Sequence, residues 1–151
     1  MKDTFTIGTI AGILGTIIMH LFSMILTALG LEKISDLQAS AAIFLDWSQV
    51  NTTVGFIVGA IVHLMIGAAG GVLLAYFIKS SGKDYYWLKG LALAGFMLLI
   101  GMGLIQGVLE IVPQLKSDSL TTLAHIFNYV IYGLVSSYVI AKYGKFNIIK
   151  E

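Results

Sequence analysis

Three histidines and one glutamate are the residues of this chain whose types and positions could hold a metal, a haem iron or a proton. His20, His63 and His125 each lie inside a long apolar stretch, and Glu110 lies near the end of another. An ionisable group inside a bilayer is costly and therefore marks a candidate functional site. The chain has no cysteine, so metal chemistry would have to use histidine and carboxylate.

Three interpretations of these side chains are open. In the first, His20 and His125 are the axial ligands of a b-type haem, with His63 as a further cofactor-binding candidate. In the second, His20, His125 and Glu110 form a divalent-metal or proton site. In the third, neutral histidines only bond neighbouring carbonyls and join helices. No strict ligand motif such as HExxH is present to decide between them.

The elements that would position these residues are four apolar stretches. Hydrophobic residues make up 58% of the 151 positions and charged residues 11%, which lies outside the range of soluble globular chains. A helix rises about 1.5 Å per residue, so about 20 apolar residues cross a bilayer core. The sequence therefore predicts an all-α transmembrane four-helix bundle in one domain, with spans at about 5–30, 52–78, 86–112 and 120–143.

Residues at the ends of these stretches support the boundaries. The second span is offered N-cap oxygens by Asn51, Thr52 and Thr53. Pro113 is expected to halt the third span because it lacks an N–H. Gly30 and Gly82 fit chain reversals.

The lysines predict the orientation, because cytoplasmic loops carry an excess of positive charge. The side with few lysines has only Lys33 and Lys116. The other side, which carries both termini, has Lys2, Lys79, Lys83, Lys89, Lys142, Lys145 and Lys150. We therefore expect a prokaryotic inner (plasma) membrane protein with cytoplasmic N- and C-termini.

The same orientation places the polar residues in the outer half of the bundle. At about 1.5 Å per residue, His20 lies about 9 Å and His125 about 8 Å below the outer surface, with His63 deeper, at about 16 Å. Glu110 lies near that surface. We expect a polar pocket at this level that includes Gln106 and Asn128.

The outer loop 31–49 predicts an amphipathic helix on the membrane surface. Its polar side would carry Lys33, Asp36 and Gln38, and Trp47 would lie at the headgroup level. The apolar side would carry Ile34, Leu37, Ala41, Phe44 and Leu45.

Glycines spaced four apart predict the faces on which the spans pack, since helices in lipid associate through close contact of small residues. These helix-packing candidates are Gly8 and Gly12 in the first span, Gly55, Gly59, Gly67 and Gly71 in the second, Gly103 and Gly107 in the third, and Gly133 in the fourth.

Several classes of function have no support. The net charge of +1 without a basic patch argues against a nucleic-acid partner. A nucleophilic triad and the GxxxxGK[ST] phosphate loop are both missing from the sequence. We therefore expect a non-enzymatic protein.

With these motifs placed, the chain resembles small, functionally uncharacterised four-span bacterial membrane proteins with a glycine-rich first helix and a second helix containing histidine and glycine. The residues that carry the resemblance are Gly12-Ile13-Leu14-Gly15-Thr16, His63-Leu64-Met65-Ile66-Gly67, Ala75-Tyr76, Lys89-Gly90, His125 and Tyr132-Gly133. The resemblance implies fold and membrane location and no activity, and His20 is not part of its pattern.

The preferred prediction is a multi-pass membrane protein that serves as a subunit or as a small-ligand-binding component. Its partners would be the lipid bilayer and further copies of the chain or a larger membrane complex. The alternatives are a b-type haem electron carrier using His20 and His125, and an ion, proton or small-solute permease.

Overall fold

The computed structural model of the chain describes residues 3–112 and 118–145, which are mainly helical and contain no strand. The elements in chain order are α1 (Thr4–Ala28), α2 (Asp36–Ala41), a short 3-10 helix (Trp47–Gln49), α3 (Thr53–Ser81), α4 (Tyr86–Leu98), a π-helix (Leu99–Val108) and α5 (Ser119–Tyr143).

Four helices of the described chain are long and apolar enough to cross a membrane, namely α1, α3, α4 with its π-helical continuation to Gln106, and α5. Their outward surfaces carry large apolar side chains such as Leu21, Leu99 and Met65, which are 56%, 71% and 66% exposed. A soluble protein does not present so continuous an apolar surface to water. The predicted all-α four-helix transmembrane bundle is therefore confirmed.

Local capping explains where the helices begin. The Thr52 side chain accepts a hydrogen bond from the Gly55 amide and caps α3, as predicted. Asp3 and Asp118 cap α1 and α5 in the same way. The C-cap of α3 is Gly82, at φ 83°, a conformation that favours glycine. Pro113 lies outside the described residues, and the π-helix already ends at Val108.

Helix α1 packs closely and antiparallel on α3 through glycines from both helices. A Cβ atom built on Gly12 would lie 2.1 Å from the Gly67 carbonyl oxygen, and one on Gly71 would lie 2.2 Å from that of Gly8. Such distances leave no room for any side chain. The two backbones therefore touch, as small residues at four-residue spacing allow in lipid.

Other glycines serve different contacts. Gly133 of α5 lies against Gly90 of α4, where a Cβ would come within 2.5 Å of the Gly90 oxygen. Gly55 and Gly59 of α3 do not face another span, because their open sides meet the backbone of the connection 29–52. These two glycines thus let the connection pack directly on α3.

The third span changes from α- to π-helix halfway along its length. Residues Leu99–Val108 form the π-helix, a geometry that widens the turn and is frequent at functional sites. Gly103 in this segment is exposed, and a Cβ there would meet nothing within 4 Å. The surroundings of Gly107 are not among those that the structure describes.

The antiparallel packing defines two ends of the bundle. The proximal end carries Asp3, Gly82 and Tyr143, and the distal end carries the connection 29–52. Lys83 at the proximal end donates to the Ala141 oxygen at 2.8 Å. Lys2, Lys116 and Lys150, on which the orientation partly depends, lie outside the described residues.

The connection 29–52 contains a helix that is shorter than the apolar spacing predicted, and one of its charged residues points inward. Asp36, expected on the water-facing side, is 5% exposed, whereas Phe44 is 70% exposed. Trp47 packs against a small cluster that includes Ile34 and Val112. The burial of Asp36 is tolerated because polar groups of α5 bind its carboxylate.

Candidate functional site

A polar stripe on the distal half of α5 organises the site. Thr121, His125 and Asn128 follow one another at i, i+4 and i+7, which places them on one face of the helix. All three are at most 2% exposed. Buried polar groups need partners, and the partners here come from residues 32–36 of the connection.

Hydrogen bonds with Thr121 and His125 dock residues 32–36 on that stripe. The Lys33 amide donates to Thr121 Oγ1 at 2.9 Å. His125 lies with Nε2 3.1 Å from the Ile34 oxygen and with Nδ1 2.6 Å from Asp36 Oδ1. Side chains of α5 therefore hold the connection at the distal end of the bundle.

These contacts fix the hydrogen positions on His125. A carbonyl oxygen only accepts, so Nε2 must carry a hydrogen and donate it to Ile34. One further hydrogen lies between Nδ1 and the carboxylate of Asp36. His125 and Asp36 thus form a buried ion pair with one shared proton.

A second carboxylate lies beside this pair. Glu32 is 1% exposed, and Ser23 of α1 donates to its Oε1 at 2.7 Å. The amide of Asn128 donates to both carboxylates, at 3.0 Å to Asp36 Oδ2 and 3.4 Å to Glu32 Oε2. Glu32, Asp36 and His125 offer one ligand atom each within 4.8 Å of one another.

The two carboxyl groups are electrostatically different. Burial raises the pKa of Glu32 above its ordinary value, and the neighbouring charge of Asp36 adds to the effect. Burial acts in the same direction on Asp36, but the charge and hydrogen bond of His125 outweigh it and lower the pKa of that carboxyl. Weaker contributions to this lowering come from His63 and His20.

An apolar cavity of about 320 Å³ adjoins this group. Its walls come from all four spans and include Met19, Leu73, Phe96 and Met97. Its polar lining is formed by Thr16, Asp36, Ser40, His63, Gln106, His125, Tyr129 and Tyr132. The cavity lies in the size range of small-molecule sites.

Two polar side chains that line the cavity are incompletely bonded. Ser40 Oγ lies 3.1 Å from His63 Nδ1, and Gln106 donates to the Ala39 oxygen at 3.3 Å. Within the described part of the chain, His63 Nε2 and Gln106 Oε1 are buried without a hydrogen-bond partner. Such atoms are costly unless something binds them.

The other residues predicted from the sequence lie elsewhere or play a different part. His20 does not line the cavity, and its buried Nδ1 has no hydrogen-bond partner among the described residues. Glu110 is exposed, with φ 54°, and is not a member of the group formed by Glu32, Asp36 and His125. Asn128 belongs to that group's hydrogen-bond network and does not line the cavity.

The geometry of His125 bears on the haem hypothesis. Axial ligation needs an unshared electron pair on one ring nitrogen, and both nitrogens of His125 are engaged, with Ile34 and Asp36. An iron bound by His125 would have to displace the Asp36 carboxylate from Nδ1 or the Ile34 oxygen from Nε2, and His20 does not line the cavity. The site as built does not favour a haem.

Glu32, Asp36, Ser23 and Ser40 were not recognised as site residues from the sequence. The four-residue spacing of Glu32 and Asp36 directly after an apolar span was the available signal. It was indistinguishable from an ordinary water-facing side of a surface helix. Their role depends on partners about 90 positions away in the chain, such as His125.

Comparison of the chain with known protein families, curated proteins and solved structures gave no match. The class of protein therefore follows from the fold and the site alone. The chain is a multi-pass helical membrane protein with a buried carboxylate–histidine group beside an apolar cavity.

Proposed function

We propose that this chain is a non-enzymatic membrane protein that binds a small amphipathic molecule in the cavity at the distal half of the bundle. The observation that carries the proposal is the cavity of about 320 Å³ that is lined by two buried, unbonded polar side-chain atoms. A ligand that filled the cavity would satisfy both atoms and remove apolar walls from contact with water.

The cavity walls select a ligand with an apolar body. Leu73, Phe96 and Ile66 supply apolar surface, and Met19 and Met97 are flexible side chains that adapt to different shapes. Binding energy would come mainly from burying the ligand's apolar area, at about 25 cal/mol per Å². Such a molecule would also partition into the surrounding lipid.

The polar lining selects an uncharged head group with both a donor and an acceptor. Gln106 Oε1 only accepts, so it needs a ligand N–H or O–H. When Ser40 donates to His63 Nδ1, the His63 Nε2 atom carries a hydrogen and needs an acceptor. The negative charge of Asp36 is already compensated by His125, which leaves no unpaired charge for an ionic ligand.

The test is to extract and identify by mass spectrometry the molecules that copurify in a gentle detergent. We expect one species at near-stoichiometric amount in the wild type. Occupancy should fall at least tenfold in His63→Phe and Gln106→Leu, because each variant removes one polar partner. Gln49→Leu at the same end, an exposed residue outside the cavity, is the matched control. Equal lipid profiles in all four proteins would refute the proposal.

The proposal includes a larger assembly. In the third span, Tyr86–Gln106, few residues are buried within the chain, and Gly103 is open to close approach from outside. We expect this face to contact another copy of the chain or a partner subunit. Native electrophoresis in mild detergent should show a species larger than the monomer, which Gly103→Leu reduces. A monomer in both proteins would contradict this part.

A further inference from the structure

We propose that Glu32, Asp36 and His125 form a binding site for one divalent transition-metal cation at the distal end of the bundle. Each offers a ligand atom, these atoms lie within 4.8 Å of one another, and all three residues are buried. The inference is independent of the amphipathic ligand, although Asp36 and His125 also line the cavity.

The hydrogen bond of His125 to Ile34 prepares the ring for a metal. A bound cation takes the place of the proton that Nδ1 and Asp36 share. Because Nε2 still donates to the Ile34 oxygen at 3.1 Å, the unshared pair of the ring, then neutral, lies on Nδ1. Nδ1 points at the carboxylate of Asp36, 2.6 Å away. Metal-binding histidines commonly donate their second nitrogen to a backbone carbonyl, which fixes the tautomer and the ring orientation.

Asn128 supplies a second, independent observation. Its side chain is 0% exposed, and its Oδ1 has no hydrogen-bond partner in the described chain. Its Nδ2 already contacts both carboxylates, at 3.0 and 3.4 Å. A half-turn of the amide would exchange the two atoms and aim the oxygen at the cation. The oxygen then becomes a fourth ligand, and the amide nitrogen takes the position in which the oxygen has no partner.

The dimensions and the charge suit a cation of this kind. Ligand bonds of about 2.0–2.2 Å in a tetrahedral site place neighbouring ligand atoms about 3.3–3.6 Å apart. That separation lies between the 2.6 Å of Nδ1 and Oδ1 and the 4.8 Å limit of the group. Two carboxylates balance the charge of a divalent ion, which a buried site requires.

The donor set distinguishes among metals. One imidazole nitrogen with carboxylate and amide oxygens suits Zn²⁺, Mn²⁺ or Fe²⁺. Mg²⁺ and Ca²⁺ prefer oxygen ligands alone, and Cu⁺ prefers sulfur. We therefore expect the site to bind Zn²⁺ and Mn²⁺ more tightly than Mg²⁺.

The experiment measures binding of Zn²⁺ and Mn²⁺ to the full-length protein in detergent after treatment with a chelator. Titration calorimetry should show one ion per chain, and Glu32→Gln should weaken binding by about 100-fold. Asn128→Leu should weaken it by about tenfold. Glu110→Gln and Asp46→Asn remove other carboxylates outside the group and should bind the ions as the wild type does.

A second measurement needs no variant and does not depend on the cavity ligand. Co²⁺ added to the metal-free wild-type protein should give visible absorption bands typical of bound nitrogen and oxygen ligands, and Zn²⁺ should remove them. Absence of these bands together with no stoichiometric Zn²⁺ uptake would overturn the proposal. Equal losses of affinity in Glu32→Gln and Glu110→Gln would also overturn it, because the ion would then not be bound by this group.

Discussion

The Nδ1 atom of His125 lies 2.6 Å from Oδ1 of Asp36, although the two residues are 89 positions apart in the chain. This contact joins the connection after α1 to the last span and closes the distal end of the bundle. It also explains how a carboxylate is kept away from water, because Asn128 satisfies the second oxygen.

Removing one member of this pair should destabilise the bundle strongly. Asp36→Ala leaves the His125 ring and the Asn128 amide without their acceptor in a buried site, and we expect a loss of about 3–5 kcal/mol. Unfolding of the purified protein in a denaturing detergent measures the change. Asp46→Ala is the control, since Asp46 is exposed and makes no side-chain cap hydrogen bond. Equal stability of Asp36→Ala and wild type would contradict the prediction.

The close contact of α1 with α3 makes a second prediction. Gly12→Ala introduces a Cβ that would lie 2.1 Å from the Gly67 oxygen, so the helices must separate. We expect a destabilisation of about 1–3 kcal/mol or more. Gly95→Ala is the matched change in α4, where nothing lies within 4 Å; it should be neutral or stabilising, by up to about 1 kcal/mol. Similar losses in both variants would disprove the assigned contact.

The cap of α5 should give a pH-dependent contribution to stability. Hydrogen bonds from Thr121 and Lys33 lower the pKa of Asp118 below its ordinary value of 3.8. A lowered carboxyl pKa contributes stability that is fully present above the unfolded value and is lost as the pH falls through the folded one. Melting curves of wild type and Asp118→Asn should therefore differ at neutral pH and converge in acid. A difference that persists or grows in acid would argue against this role.

The lysine distribution predicts which end of the bundle faces the cytoplasm. Because the chain contains no cysteine, single cysteines can be introduced without background. A membrane-impermeant thiol reagent added to intact cells should label Asn51→Cys at the distal end, and should label Ser80→Cys at the proximal end only after the membrane is opened. The reverse pattern would invert the proposed orientation.

Much of the architecture was predictable from the sequence because it depends on local properties. The length and apolarity of the spans, the Thr52 cap and the glycine reversals need only neighbouring residues and the solvent. Glycines at four-residue spacing in α1 and α3 likewise indicated close helix contact, and Gly12 and Gly71 lie in that contact.

What only the tertiary structure decided is which polar residues meet. From the sequence, Asp36 was expected on a water-facing side, and Glu110 was expected to be the carboxylate beside His125. Both expectations came from the spacing of apolar residues, which describes only one helix at a time. In the folded chain, Glu32 and Asp36 instead lie against α5. Their carboxylates are stabilised there by His125 and Asn128, which are about 90 residues later in the chain. The physical reason is that burying a charge depends on partners from distant segments, and no local pattern reports which segments those are.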